Sequence, residues 1–217
     1  MKFNRWLRQL IVLPILFTFG CTDTLESSIV VYSNDFSDLN LEGFDGARLF
    51  VFQEDTVSGF YNNEEIRLRL DGLPSHNIMR VTIDILTHDS WDGNPDDNQS
   101  GPDYWIMEID QNEVIRTTFS NSPCESLFCL YQSYPDNYAR QNEPKTGAVR
   151  TNMPGLCLFG AFENYTTQYS ITKLVEHTNN DIDIVLRDEL RQEGNPDPIC
   201  DESWSIANIV VEALVVN

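Results

Sequence analysis

Residues 89–121 read DSWDGNPDDNQSGPDYWIMEIDQNEVIRTTFSN. In the second half Trp105, Met107 and Ile109 fall on one side of an alternating run, and Val114 to Phe119 repeats the pattern after Asp110-Gln111-Asn112. Alternation of period two marks a half-buried strand, and the polar interruption marks the turn of a hairpin. Ahead of the hairpin lies a loop dense in carboxylates and amides: Asp89, Asp92, Asn94, Asp96, Asp97 and Asp103. The aromatic pair Tyr104 and Trp105 closes it.

The same period recurs on both sides of this stretch. Val81, Ile83 and Ile85 feed the loop, and Ile66, Leu68 and Leu70 alternate with Glu65, Arg67 and Arg69. Ile182, Ile184 and Leu186 follow the turn Asn179-Asn180, and Ala207, Ile209, Val211, Ala213 and Val215 close the chain. Shorter strands are expected at Ile29–Tyr32, Ala47–Gln53, Phe128–Tyr131, Leu156–Phe162 and Tyr169–His177. About ten short strands without a helical period predict one all-β sandwich over residues 29–217. Ser133 to Pro154 reads as an irregular surface excursion, where binding residues often sit.

The N-terminus is not part of that fold. Lys2, Arg5 and Arg8 precede the apolar run Leu10–Phe17, which is too short to span a bilayer and ends at Gly20-Cys21. This predicts an export signal over residues 1–20. Cys21 after Gly20 resembles the lipobox of bacterial lipoproteins, which implies a diacylated Cys21, a tether over 21–28 and membrane attachment through the lipid. The expected location is the outer membrane or cell surface, or its periplasmic side.

The chain carries 14 Lys and Arg against 34 Asp and Glu, a net charge of −20. Loss of Lys2, Arg5 and Arg8 with the leader leaves 11 basic residues against the same 34, or −23. Such a surface repels phosphate backbones, which excludes nucleic acid as a partner class, and it attracts divalent cations. The remaining cysteines are Cys124, Cys129, Cys157 and Cys200. Four thiols in an exported chain allow three pairings. The favoured one closes a short turn through Cys124–Cys129 and ties a middle segment to the last strand through Cys157–Cys200; one short cysteine pair with scattered histidines fits zinc poorly.

The words HDSWDGN, GPDYW, RTTFSN, QSYP and DESWSIANIVVE, in that order, resemble secreted jelly-roll modules of marine bacterial surface proteins. The resemblance spans roughly residues 30–216 and implies a jelly-roll sandwich of two antiparallel sheets. That family is mostly uncharacterised, so the resemblance implies fold rather than activity. Ser205 and Ala207 stand where the pattern has Gly and Asp. In jelly-roll carbohydrate-binding modules a last-strand Asp helps hold a structural calcium, so Ala207 leaves Asp35 and Asp38 without that partner.

Three constellations could carry chemistry. Asp92, Asn94, Asp96, Asn98, Ser100 and Asp103 occupy positions 1, 3, 5, 7, 9 and 12 of a twelve-residue frame, the spacing of an oxygen cage for calcium, with Asp89 beside it. A solvated loop of turn formers is the bland alternative. Glu108, Asp110 and Glu113 match ExDxxE, which resembles the catalytic strand of jelly-roll β-glucanases. The turn at Asp110-Gln111-Asn112, however, places the two glutamates on opposing strands. Among the aromatics, Trp105 and Trp204 fall on inward faces, whereas Trp91, Tyr104 and Tyr134 are the candidates for stacking on sugar rings. His76, His88 and His177 are far apart in sequence and read as structural. The expectation is a lipid-anchored binding module for a glycan or surface protein, ordered by calcium. A glycoside hydrolase and a structural accessory subunit are the alternatives.

Overall fold

The computed structural model describes residues 24–96, 100–125, 128–157, 159–191 and 196–217. The expected leader, Cys21, Asp97 and Asn98 lie outside the described residues. Among the described residues twelve strands follow one another. The first six are β1 (Leu25–Asn34), β2 (Phe44–Asp45), β3 (Leu49–Phe52), β4 (Asp55–Tyr61), β5 (Glu65–Asp71) and β6 (Ile78–Asp89). They continue as β7 (Tyr104–Ile109), β8 (Asn112–Thr118), β9 (Arg150–Pro154), β10 (Glu163–Glu176), β11 (Asp181–Glu189) and β12 (Glu202–Val216).

The strands form two antiparallel sheets of jelly-roll type. The seven-stranded sheet runs β3-β4-β12-β6-β10-β9, with β1 also paired to β12, and the five-stranded sheet runs β2-β5-β11-β7-β8. Alternation decides which side chains meet between them. Val81, Ile83 and Ile85 of β6 face inward with Tyr169, Ile171, Ile209 and Val211, against Leu68, Trp105, Met107 and Ile184 of the other sheet. Each fully buried aliphatic side chain contributes on the order of 1.5–3 kcal/mol over its exposed state, so a one-residue slip of β6 would be strongly disfavoured. The disulfides are Cys124–Cys129 and Cys157–Cys200. They fit folding in an oxidising, extracellular environment. Among the described residues no helix is long and apolar enough to cross a membrane.

Four of the departures from expectation have a local reason. β1 begins at Leu25, inside the stretch read as a tether, because Leu25, Ser27 and Ser28 pair with the end of β12. Phe128 makes only an isolated bridge to Glu125 within the short disulfide loop, so no strand forms at 128–131. Leu156, Cys157 and residues 159–162 turn instead of extending, because the N–H groups of Leu156 and Phe159 donate to the Asp89 carboxylate rather than to a neighbouring strand. Within the expected excursion, Arg150–Pro154 pairs with β10 as an edge strand.

Candidate functional site

The acidic loop is held by its own side chains. Gly93 sits at φ +83°, where a Cβ would meet the Tyr131 carbonyl at 2.3 Å, so only glycine lets the loop pass that close. Asp103 is fully buried; its two oxygens accept the N–H groups of Asp92 (3.0 Å) and Arg191 (3.2 Å). Burial outweighs these bonds and holds its carboxyl well above the usual carboxylate range. The Asn94 amide oxygen accepts from the hydroxyls of Thr118 and Ser133, while its NH₂ donates to the Arg140 carbonyl. Asp89 turns away from the loop to hold the 155–159 segment. Burial raises its carboxyl to about 6.

The expected calcium ligands are therefore divided among different partners. Asp89 and Asp103 each serve backbone N–H groups, Asn94 staples two segments, and Asp96 is exposed. Among the described residues no three Asp, Glu, His or Cys side chains are grouped to hold a metal ion. Asp97 and Asn98 of the expected frame lie outside the described residues, and no chemistry through calcium is derived from the others.

Two of the three candidate stacking aromatics belong to the interior. Trp91 is fully buried, its Nε1 donates to the Ser203 carbonyl at 2.8 Å, and its ring packs edge-on against Phe119. Tyr134 packs against Phe119 and Tyr169 and donates its hydroxyl to the Ser170 carbonyl at 3.3 Å. A polar sequence neighbourhood placed both rings in loops, but the loops fold back over the sandwich end and use the rings as anchors. Tyr104 is half-buried on the outer face of the five-stranded sheet. Its ring is taken by the Arg116 guanidinium, 5.0 Å from the centroid, and by the edge of Tyr138. Burial and Tyr138 raise its hydroxyl to about 12.

The ExDxxE residues straddle a hairpin, as the turn residues predicted. Asp110 and Gln111 both take positive φ (49° and 66°), and Glu108 stands opposite Glu113 in register. Glu108 pairs with Arg187 at 3.1 Å and Glu113 with Arg116 at 3.0 Å. Arg116 and Arg187 also share Glu189. The glutamates thus lie in a charge network across strands at the edge of the sheet, each held by a guanidinium rather than facing a sugar across a cleft.

The feature that sequence reasoning missed is a cleft on the outer face of the seven-stranded sheet. It has a volume of about 500 Å³. A cross-strand row of Ser205, Leu86, Gln168 and Arg150 sets its direction, each paired in register with the next. Val57 and Ala207 widen the apolar floor; Gln53 and Glu54 of the β3–β4 turn form one wall, and Arg150 and Asn152 of β9 form the other. Ala207 occupies a β-bulge between Ile206 and Asn208, an extra residue on β12 opposite Ile85 and Asp84. One end of the floor continues into a second small core of Phe52, Val57, Phe60, Leu86 and Met153. Beneath it, His88 is fully buried with Phe52 and Phe60 edge-on, and its nitrogens bond the hydroxyls of Thr166 (3.0 Å) and Ser205 (2.8 Å). Desolvation lowers its titration to about 3, so the ring is neutral in the folded state. The alternation of β6 and β10 carried a signal for this face: Leu86 and Gln168 point away from the core, where a lone apolar residue beside an amide marks a sheltered outer surface.

No protein-family model matches the chain, and no curated protein matches it. Among solved structures it is similar to a family GH115 4-O-methyl-alpha-glucuronidase, BtGH115A, with specificity for decorated arabinogalactans. The match has 8% identity and a TM-score of 0.40, covering 84% of this chain and 17% of that one. It is also similar to a family 35 carbohydrate binding module from Clostridium thermocellum, at 9% identity and a TM-score of 0.35, over 85% of this chain and 97% of that one. A third similar structure is the carbohydrate binding module CBM6cm-2 of Cellvibrio mixtus lichenase 5A, in complex with cellotriose. There the identity is 9% and the TM-score 0.34, over 84% of this chain and 97% of that one.

Proposed function

We propose that the chain is a glycan-binding module whose ligand lies in the cleft across β4, β12, β6 and β10. One observation carries this reading: an apolar floor of Val57, Leu86 and Ala207 is walled by the amides of Gln53, Asn152 and Gln168 and the charges of Glu54 and Arg150. Amides and carboxylates satisfy hydroxyls in both directions, while the half-buried Ala207 is the part of the apolar floor open to the C–H face of a sugar ring. A cleft open along the strand-crossing row suits a stretch of polysaccharide rather than an enclosed metabolite.

The module is read as a cell-envelope protein carried by a lipid on Cys21, which the basic and apolar N-terminus supports. Calcium belongs to this reading through the spacing of residues 92–103, of which 97–99 lie outside the described residues. A thermal midpoint that rises with millimolar calcium and falls with chelator supports that part; an unchanged midpoint removes it.

The binding claim is tested by screening the purified domain on an array of plant, algal and bacterial glycans and repeating the hits with Asn152→Ala and Gln168→Ala. Loss of binding in both variants at unchanged fold supports the cleft. Retention of full binding in both contradicts it.

A further inference from the structure

His76, His177 and Asp110 come from three separate turns and meet at one end of the sandwich. His76 lies in the β5–β6 loop, His177 directly follows β10, and Asp110 makes the β7–β8 turn. The two imidazoles meet edge to edge, their planes 12° from parallel and their centroids 4.9 Å apart, and both residues are buried. His76 Nε2 stands 2.6 Å from His177 Nδ1. At the outer ends, His76 Nδ1 is 2.6 Å from the Pro74 carbonyl oxygen and His177 Nε2 is 3.0 Å from Asp110 Oδ2. The last approach is oblique to the ring, a contact of charges rather than a straight hydrogen bond.

The protons in this row can be counted. A carbonyl oxygen only accepts, so His76 Nδ1 carries a hydrogen. The short contact between the rings needs one more hydrogen, on either nitrogen. Two neutral imidazoles supply those two hydrogens and no others, which leaves His177 Nε2 as a bare lone pair 3.0 Å from a carboxylate oxygen. Lone pair against anion is repulsive, and a third proton converts the contact into an attraction.

The surrounding charges agree. Asp110 Oδ1 accepts the Asp183 N–H at 3.0 Å, while the Asp183 carboxylate is engaged by Arg67 and Arg69. Glu176 directly precedes His177, and Asp71 pairs with Asp181 at the adjoining ends of β5 and β11. Among the described residues no lysine or arginine bonds to the three side chains.

We propose that His76, His177 and Asp110 form a proton-operated clasp, in which one imidazolium proton shared by the two rings and countered by Asp110 holds three turns of the two sheets together. The backbone bonds it protects are local and specific: His177 N–H to the Asn77 carbonyl at 3.2 Å, and Asp110 N–H to the Asp183 carbonyl at 2.9 Å. The clasp holds while the shared proton is bound and is lost when it leaves. The turn end of the β7–β8 hairpin loosens with it.

Nitrogen-15 spectra of the imidazole rings in the intact domain, recorded from about pH 5 to about pH 9 across the ordinary imidazole range, test this. The expected result is a cationic signature shared by two of the three histidines, with amide exchange at His177 and Asp110 accelerating as it disappears. Asp110→Asn is expected to shift that disappearance about tenfold in proton concentration toward acid, roughly the effect of one close opposite charge. Two neutral rings at about pH 6, or a wild-type transition unmoved in Asp110→Asn, overturns the clasp. The wild-type spectra alone decide the first point, so the proposal does not depend on the variant folding.

Discussion

Glu108 and Glu113 face one another as a registered pair across the β7–β8 hairpin, each closed by a guanidinium: Arg187 at 3.1 Å and Arg116 at 3.0 Å. Like charges directly opposite are unfavourable, and the two arginines relieve that by binding one each while sharing Glu189. A retaining hydrolase needs two carboxyls about 5–5.5 Å apart on the wall of a cleft, free to receive a sugar between them. Here the pair lies on a sheet face at its edge strand. Glu108→Gln and Glu113→Gln are each expected to lower stability by only about 0.2–1 kcal/mol, as partly exposed ion pairs do, and to leave glycan binding unchanged. Urea unfolding and the binding assay check both. Release of reducing ends by the wild type that is lost in Glu108→Gln would restore the enzyme reading.

Trp91 is expected to act as a wedge and not as a platform. Its ring is fully buried and its Nε1 donates to the Ser203 carbonyl, tying the acidic loop to β12. Trp91→Ala should cost about 3–5 kcal/mol through the cavity it leaves, whereas Trp91→Phe should cost less and keep ligand binding intact. Calorimetric melting of the two variants separates these outcomes.

The two disulfides should contribute unequally. Cys157–Cys200 closes a separation of 43 residues and Cys124–Cys129 one of 5. Loop-closure entropy rises with length, so removing the long bridge as a double serine variant should cost about 2–4 kcal/mol and removing the short one clearly less. The difference in denaturant midpoint is the measurement.

Stability against pH should show His88 and Asp89 pulling in opposite directions. His88 is held neutral to about 3, while an unfolded histidine takes its proton near about 6.5; its contribution is present above that value and is lost as pH falls. Asp89 is raised from 3.8 to about 6, so the folded state binds the extra proton; its contribution is present at acid pH and is lost as pH rises through about 6. Burial of Asp103 acts in the same direction as Asp89. Between about pH 6 and about pH 4, His88→Gln should gain midpoint on acidification relative to wild type, and Asp89→Asn should lose it. Parallel curves for all three proteins contradict the account.

Strand alternation made most of the sandwich legible, because the inward residues of β5, β6, β7, β11 and β12 are aliphatic or aromatic at every second position. β4 was not legible, since five consecutive residues of its Asp55–Tyr61 run are buried and period two disappears. The same loss hid the cleft. Its floor is lined by Val57 and Leu86, buried on the outer face of the sheet under Phe52, Phe60 and Met153, where polar residues are expected. The acidic loop was legible as a location but not as chemistry, because a carboxylate that caps backbone N–H groups and one that binds a cation share the same residue types and spacing. The His76–His177–Asp110 row was invisible for a simpler reason: 101 residues separate the two rings, and only the fold joins them.

The central claim is that the outer cleft holds the ligand, and Ala207 is where it can be tested most directly. Ala207 lies on the cleft floor in the bulge of β12, so a phenyl ring there fills the space without touching the core between the sheets. Isothermal titration of wild type and Ala207→Phe against a glycan identified on the array is the measurement. The account predicts at least about a tenfold loss of affinity, or about 1.4 kcal/mol, at an unchanged thermal midpoint. Equal affinity in the two proteins contradicts it.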